Sequence, residues 1–123
     1  MIKPQPIDFK AEIEDRIEME IVVDAYHEEE RAMGWYYYLQ ENLAFPFKAK
    51  CTHTKATSPL SLGEAVDVID MAKEADCLYD MLVKIKWKDR SLAVPLSQLE
   101  AINSENNQPL EDWHYWLAQG YQF

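Results

Sequence analysis

The sequence predicts an α+β fold with an N-terminal helical segment, a small antiparallel SH3-like barrel sheet and a C-terminal helix. Three observations predict it. Apolar residues recur at helical spacing in the N-terminal third, they alternate with lysines between Met81 and Lys88, and helical spacing returns after Pro109. With 123 residues, the chain is expected to form a single domain, residues 1–123, that buries a core without metal or disulfide.

The first expected element is a helix after a flexible arm, residues 1–8. Asp8 is a suitable N-cap, and an apolar residue recurs every four positions from Phe9 to Ile21. Between residues 16 and 23 apolar residues also alternate as in a strand. The helix is favoured because its period continues on both sides without a turn residue.

A second helix is expected after a break at residues 24–27. Three glutamates from Glu28 would occupy its first turn, where the helix dipole favours negative charge. The helix should end before Phe45, because the residue before Pro46 avoids helical geometry. Its aromatic run, residues 35–38, is expected in the core.

Short strands are expected in the central part of the chain, and tight turns connect them. The predicted strands are residues 48–57, 65–71, 81–88 and 92–96, with a turn at Asp89 and Arg90. This succession suggests the SH3-like barrel. The last helix is predicted over residues 110–119, with Gly120 as its stop.

Composition excludes several functions. The net charge of −10 disfavours nucleic acid, whose phosphates would be repelled. There is no apolar run long enough for a membrane span and no apolar core of a signal peptide, so a cytoplasmic protein is expected. Cys51 and Cys77 are then expected as free buried thiols. Without a nucleophile elbow or a glycine-rich phosphate loop, the sequence does not predict an enzyme.

The first group of candidate metal ligands lies around the break between the helices. If the helix continued unbroken, Asp24 and Glu28 would lie on its apolar face, and Glu29 would lie off it. Buried carboxylates need a cation, an arginine or hydrogen bonds. The alternative is that the break changes the helical phase and leaves both acids in water.

Two further acidic groups are candidates. One contains Asp70, Glu74, Asp76 and Asp80 near a predicted turn, where grouped oxygens would suit calcium. It lacks the residue order and glycine of an EF-hand, and a solvated turn is its alternative. The other is the pair Glu111 and Asp112 in the first turn of the last helix, which can equally complement the helix dipole.

Several long motifs carry a resemblance to a known family. DAYHEEERAMGWYYYL, FPFKAKC, VPLSQLE and DWHYW resemble the small acidic CcbP-like proteins, the cyanobacterial-type calcium-binding family. The resemblance extends from about Arg16 to Tyr121. It implies calcium binding by an acidic single-domain protein without a known catalytic role.

The predicted function is therefore reversible calcium binding by clustered carboxylates, as a buffer or sensor. The alternative is an interaction module whose SH3-like barrel binds a basic partner. No nucleic-acid or membrane partner is expected. The candidate calcium ligands are Asp24, Glu28, Glu29, Asp70, Glu74, Asp76, Asp80, Glu111 and Asp112.

Overall fold

The structure, a computed structural model, describes residues 10–103 and 105–123. The predicted arm and the predicted N-cap Asp8 lie outside these residues. Helix α1 spans Ala11–Arg16 and continues as a π-helical turn, Ile17–Ile21. The segment is thus helical, as expected, and the strand alternative for residues 16–23 was wrong.

The π-helical turn ends in close contact with the second helix, α2, which spans Glu28–Asn42. Val22 N–H donates to the Ile17 carbonyl at 2.9 Å, and the separation of five residues is that of a π-helix. A Cβ atom built on Gly34 of α2 would lie 2.3 Å from the Ile21 carbonyl oxygen. Glycine at position 34 therefore allows the backbones of the two elements to approach.

The predicted break between the helices is confirmed at residues 22–27. Asp24 has a positive φ of 56°, and Ala25 N–H donates to the Val22 carbonyl at 3.1 Å, so the chain turns here. The turn changes the helical phase, and both Asp24 and Glu28 are exposed. The continuous apolar face that would have buried them is not formed.

The aromatic run of α2 supplies the helical core. Trp35, Tyr36 and Tyr38 are buried, as predicted, whereas Tyr37 is exposed. The third helix, α3, spans Asn107–Ala118. The Trp35 ring meets two indole rings of α3, with centroid distances of 5.0 Å to Trp113 and 5.5 Å to Trp116. Edge-on contacts between these large rings hold α2 against α3.

Five strands form one antiparallel sheet in the order β4-β3-β2-β1-β5. They are β1 Phe47–Cys51, β2 Ala65–Met71, β3 Leu82–Trp87, β4 Arg90–Pro95 and β5 Leu99–Ala101. The sheet is not closed, so the expectation of an SH3-like barrel was wrong. Only three residues form β5, and the strand pairs with β1 while β4 stays at the opposite edge.

Several predicted boundaries also change. The first predicted strand, residues 48–57, ends at Cys51. The hairpin turn is Lys88 and Asp89 rather than Asp89 and Arg90, because Trp87 pairs with Arg90. Lys88 takes the positive φ of 56° that such a two-residue turn requires.

The C-terminal helix begins three residues earlier than predicted, at Asn107. It ends at Ala118, and Gly120 follows with a φ of 80°, as expected of a helix stop. Both cysteines are free and buried. Among residues 10–103 and 105–123, the helices are too short or too polar to cross a bilayer.

Candidate metal centre

Asp112 lies in a buried ion pair that connects all three helices. Its side chain is fully buried on α3. Arg16, at the end of α1, donates from Nε to Oδ2 and from Nη2 to Oδ1, both at 2.8 Å. Tyr38 of α2 donates its hydroxyl to Oδ2. The two carboxylate oxygens of Asp112 therefore have fixed donors on two other helices.

The chemistry of these partners agrees with a permanent structural pair. The hydrogen bond to Asp112 raises the pKa of Arg16 above its ordinary value, although burial opposes this effect. Burial, together with the bond to Asp112, raises the pKa of Tyr38 to about 12. A calcium ion at Asp112 would have to displace both donors from a dry site. We therefore leave Asp112 out of the candidate metal centre.

Three other predicted ligands lie separately on the surface. Glu111 is exposed and pairs with Lys10, whose Nζ lies 3.0 Å from Oε1. Asp24 and Glu29 are exposed, on the turn before α2 and in its first helical turn. Asp24 and Glu29 therefore contribute to the negative surface of the N-terminal third rather than to one compact site with Glu111.

The second acidic group is divided between different surroundings. Asp70 accepts the N–H of Met71 at 2.8 Å, next to an irregularity in the β2–β3 pairing. Glu74 accepts the hydroxyl of Tyr37 at 2.8 Å. Asp76 is exposed in the 3-10 turn Glu74–Cys77. The fourth member, Asp80, lies differently from these three.

Asp80 is the half-buried carboxylate of this group. Its side chain is 33% exposed, and Lys55 lies beside it, with Nζ 3.8 Å from Oδ2. Burial raises the pKa of Asp80, while Lys55 and the Met81 N–H oppose the rise. Since the pKa of Asp80 is raised overall, these two partners do not fully replace the hydration that the carboxylate loses on burial. Asp80 would therefore gain from an additional cation.

Asp80 shares a cavity of about 280 Å³ with Glu28, the first residue of α2. This cavity, which we call the acidic cavity, lies beside the C-terminal half of α3. Its lining residues are Glu28, Leu78, Tyr79, Asp80, Trp113, Trp116, Leu117, Tyr121, Gln122 and Phe123. Glu28 comes from the first predicted group and Asp80 from the second, so the fold brings together two acids that are distant in sequence.

The oxygens of the acidic cavity suit a hard cation. Two carboxylates can provide up to four oxygens, and the amide of Gln122 can provide another. Within the part of the chain that the structure describes, no three histidine, cysteine or acidic side chains form a ready metal cage. An ion here would need water and some movement of the side chains.

Two contributions were missing from the sequence-based candidates. Gln122 follows the last helix, and a lone glutamine there gives no recognisable signal. The other is Arg16, which pairs with Asp112 on α3. Only the relative placement of α1 and α3 reveals that pair.

The helices and open sheet, with an acidic cavity between α2 and the end of α3, define a small acidic α+β protein with a candidate cation site. The sequence profile of the CcbP family, described as calcium binding, matches residues 15–117. The chain belongs to this family. The predictions of an α+β fold and of calcium as the bound ion are confirmed.

Solved structures agree with this assignment. The crystal structure of Anabaena CcbP is 40% identical with a TM-score of 0.85, and the match covers 98% of this chain and 100% of that one. A calcium-binding protein in its calcium-binding form is 41% identical with a TM-score of 0.82, over 93% of this chain and 95% of that one. No match is found among curated proteins. The family is one of calcium-binding proteins rather than of enzymes.

Proposed function

We propose that the protein binds calcium reversibly in the acidic cavity, with Glu28 and Asp80 as direct ligands. The observation that carries this proposal is the state of Asp80, a half-buried carboxylate that shares a cavity with a second carboxylate. Its raised pKa marks a charge that is incompletely compensated without a metal ion.

The expected coordination is open and partly hydrated. Calcium takes six to eight oxygens at flexible geometry, and magnesium requires a stricter octahedron. Glu28 and Asp80 would supply carboxylate oxygens, Gln122 an amide oxygen, and water the remainder. Among the residues that the structure describes, two carboxylates line this cavity, so we expect modest affinity. Selectivity over magnesium would come from the number and flexibility of the oxygen ligands.

The other acids act through the field that they create. Asp24 and Glu29 lie close in sequence to Glu28 and are exposed. Asp76 also belongs to this field: burial is the main cause that raises the pKa of the Cys77 thiol, and the charges of Asp76 and Asp80 add to the rise. These acids would raise the local calcium concentration without contacting the ion. This arrangement fits a cytoplasmic calcium buffer or sensor without catalytic activity, and the two free buried thiols are consistent with a reducing compartment.

Calorimetry with matched variants tests the proposed ligands. We expect Glu28→Gln and Asp80→Asn each to weaken calcium binding by about tenfold or more, because each removes a charged ligand at nearly constant shape. Glu74→Gln is the control, since Glu74 is an exposed acid that bonds to Tyr37 outside the acidic cavity. It should change the affinity by less than about twofold. Magnesium should give a weaker signal in every variant.

Two outcomes would overturn parts of this proposal. Equal weakening by Glu74→Gln and Asp80→Asn would show that the general field, rather than the acidic cavity, determines affinity. Unchanged affinity in both Glu28→Gln and Asp80→Asn would place the calcium site elsewhere in the protein.

A second candidate function is the binding of a basic partner by the N-terminal segment. Met19, Val23 and Tyr26 are 69%, 49% and 76% exposed beside several acids, which is unusual for three apolar side chains so close in sequence. The partner would combine positive charge with an apolar residue. Failure of basic peptides that carry an apolar residue to bind the protein would overturn this second function.

A further inference from the structure

Lys55 occupies a position between two cavities. Its Nζ lies 3.8 Å from Oδ2 of Asp80, in the acidic cavity. The same side chain lines a second cavity of about 660 Å³, together with His53 and Thr54 of the segment after β1 and with His114 and Tyr115 of α3. We call this second cavity the α3 groove. Leu117 of α3 lines both cavities.

We propose that Lys55 is an internal competitor for the calcium site, and that calcium releases it from Asp80 and thereby changes the α3 groove. This inference rests on the proposed function, since it requires Asp80 to bind calcium. It adds a regulatory link, because calcium binding in the acidic cavity changes the surface of the α3 groove.

The contact between Lys55 and Asp80 is suited to exchange. The distance of 3.8 Å is longer than a hydrogen-bonded ion pair, and the Lys55 side chain is 41% exposed. A partly exposed pair of this kind contributes little stability. A divalent ion at Asp80 would attract the carboxylate more strongly and would repel the ammonium group, so both cations cannot share Oδ2 at close range.

The segment that carries Lys55 can respond to this exchange. Residues 53–57 are exposed and form neither helix nor strand. Lysine has a flexible stem, and its strongly hydrated charge is stable in water once it leaves Asp80. The His53 carbonyl accepts from Nε2 of buried Gln98 at 2.9 Å, whereas Lys55 itself lines the α3 groove, so its release from Asp80 changes the wall of the groove.

The chain offers a matched control for the competition. Lys48 and Asp67 form another exposed ion pair, with Nζ and Oδ1 3.3 Å apart, on paired strands β1 and β2 outside the acidic cavity. Lys48→Gln removes the same charge from the protein as Lys55→Gln. Lys55→Arg keeps the charge at position 55.

Calcium calorimetry at pH 7.5 separates the expected effects. Lys55→Gln should bind calcium about threefold to tenfold more tightly than the wild type, because the ion no longer displaces a resident cation. Lys48→Gln should change the affinity by less than about twofold, since its charge acts only through the screened field. Lys55→Arg should bind within about twofold of the wild type. Equal effects of Lys55→Gln and Lys48→Gln would overturn the competition.

Nuclear magnetic resonance tests the link to the groove. On addition of calcium, the backbone amide signals of Thr54 and Lys55 should shift in the wild type and stay unchanged in Asp80→Asn. If they stay unchanged in the wild type while calorimetry shows binding that depends on Asp80, the link is overturned and the proposed site stands. If Asp80→Asn does not weaken calcium binding, the competition with Lys55 fails, and if Glu28→Gln has no effect either, the proposed site itself fails.

Discussion

Asp112 and Asp80 are two carboxylates with different roles: Asp112 stabilises the fold, and Asp80 is a proposed calcium ligand. Asp112 is fully buried, and fixed donors from Arg16 and Tyr38 satisfy both of its oxygens. Asp80 is partly buried, and the cation beside it is a partly exposed lysine at 3.8 Å. Burial alone therefore does not make a carboxylate a metal ligand. Asp80 has a backbone donor, the Met81 N–H, and a partly exposed lysine beside it, and these leave it able to gain from an ion.

The difference follows from the elements that carry each residue. Asp112 lies on α3, which packs against α2 through large aromatic rings and receives Arg16 from α1. Its surroundings are rigid secondary structure. Asp80 follows the 3-10 turn Glu74–Cys77 and faces a cavity lined partly by the residues after α3. Such segments can adjust to the coordination shell of calcium.

The largest expected effect is on the structural carboxylate. Asp112→Asn should lower the free energy of unfolding by about 3 to 5 kcal/mol, because Arg16 loses its charged partner inside the protein. Urea denaturation without calcium measures the change. Folded Asp112→Asn protein should still bind calcium with nearly wild-type affinity, since its change lies outside the acidic cavity.

A double variant separates the ion pair from the rest of the packing. Arg16→Met with Asp112→Leu should cost much less than the sum of the two single changes, because no charge remains unpaired. Additive costs would show that Asp112 contributes through its shape rather than through the charge of Arg16.

A second expected effect concerns the rigid region that positions Arg16. In an open helix, Gly34→Ala would stabilise the protein by roughly 0.5 to 1 kcal/mol. Here the added Cβ would meet the Ile21 carbonyl at 2.3 Å, so we expect a loss of about 1 to 3 kcal/mol in the free energy of unfolding. Thermal or urea unfolding gives the sign.

The control for this variant is Gln40→Ala on the exposed surface of the same helix, which should change stability by less than about 0.5 kcal/mol. An increase in stability for Gly34→Ala would contradict the close contact between α2 and the π-helical turn.

These regions also differ in how far the sequence predicts them. The periodic spacing of Ile13, Ile17 and Ile21 predicts the first helix, because burial of one face imposes that period. The break at residues 24–27 was predicted, but its effect on the exposure of Glu28 was left open. The observed strand boundaries differ from the predicted ones because the position of a tight turn depends on which residue adopts a positive φ. In the β3–β4 hairpin this residue is Lys88.

The candidate site was only partly predictable, for a physical reason. Glu28 and Asp80 were both candidates, but in separate groups, and they share one cavity only because the start of α2 and the end of α3 lie beside the segment that follows the 3-10 turn Glu74–Cys77. The barrel was predicted from short strands and tight turns, which an open sheet shares. Asp112 was a candidate by residue type, and its pairing with Arg16 depends on contacts between helices that no spacing encodes.

The smallest expected effect is on the stability of Asp80→Asn without calcium. Folding raises the pKa of Asp80, so its protonated form is favoured in the folded protein. The contribution of Asp80 to stability is therefore fully present below its unfolded pKa and is lost as pH rises through its folded pKa. At pH 7.5, the charged carboxylate is unfavourable unless a cation accompanies it.

Asp80→Asn should consequently be slightly more stable than the wild type at pH 7.5 in the presence of a chelator, by less than about 1 kcal/mol because solvent and Lys55 moderate the effect. The advantage should shrink as pH falls toward the ordinary carboxyl range. Urea unfolding of both proteins at pH 4.5 and 7.5 measures it. A lower stability of Asp80→Asn at pH 7.5 would mean that Lys55 already satisfies Asp80, as Arg16 satisfies Asp112, and the contrast between the two carboxylates would disappear.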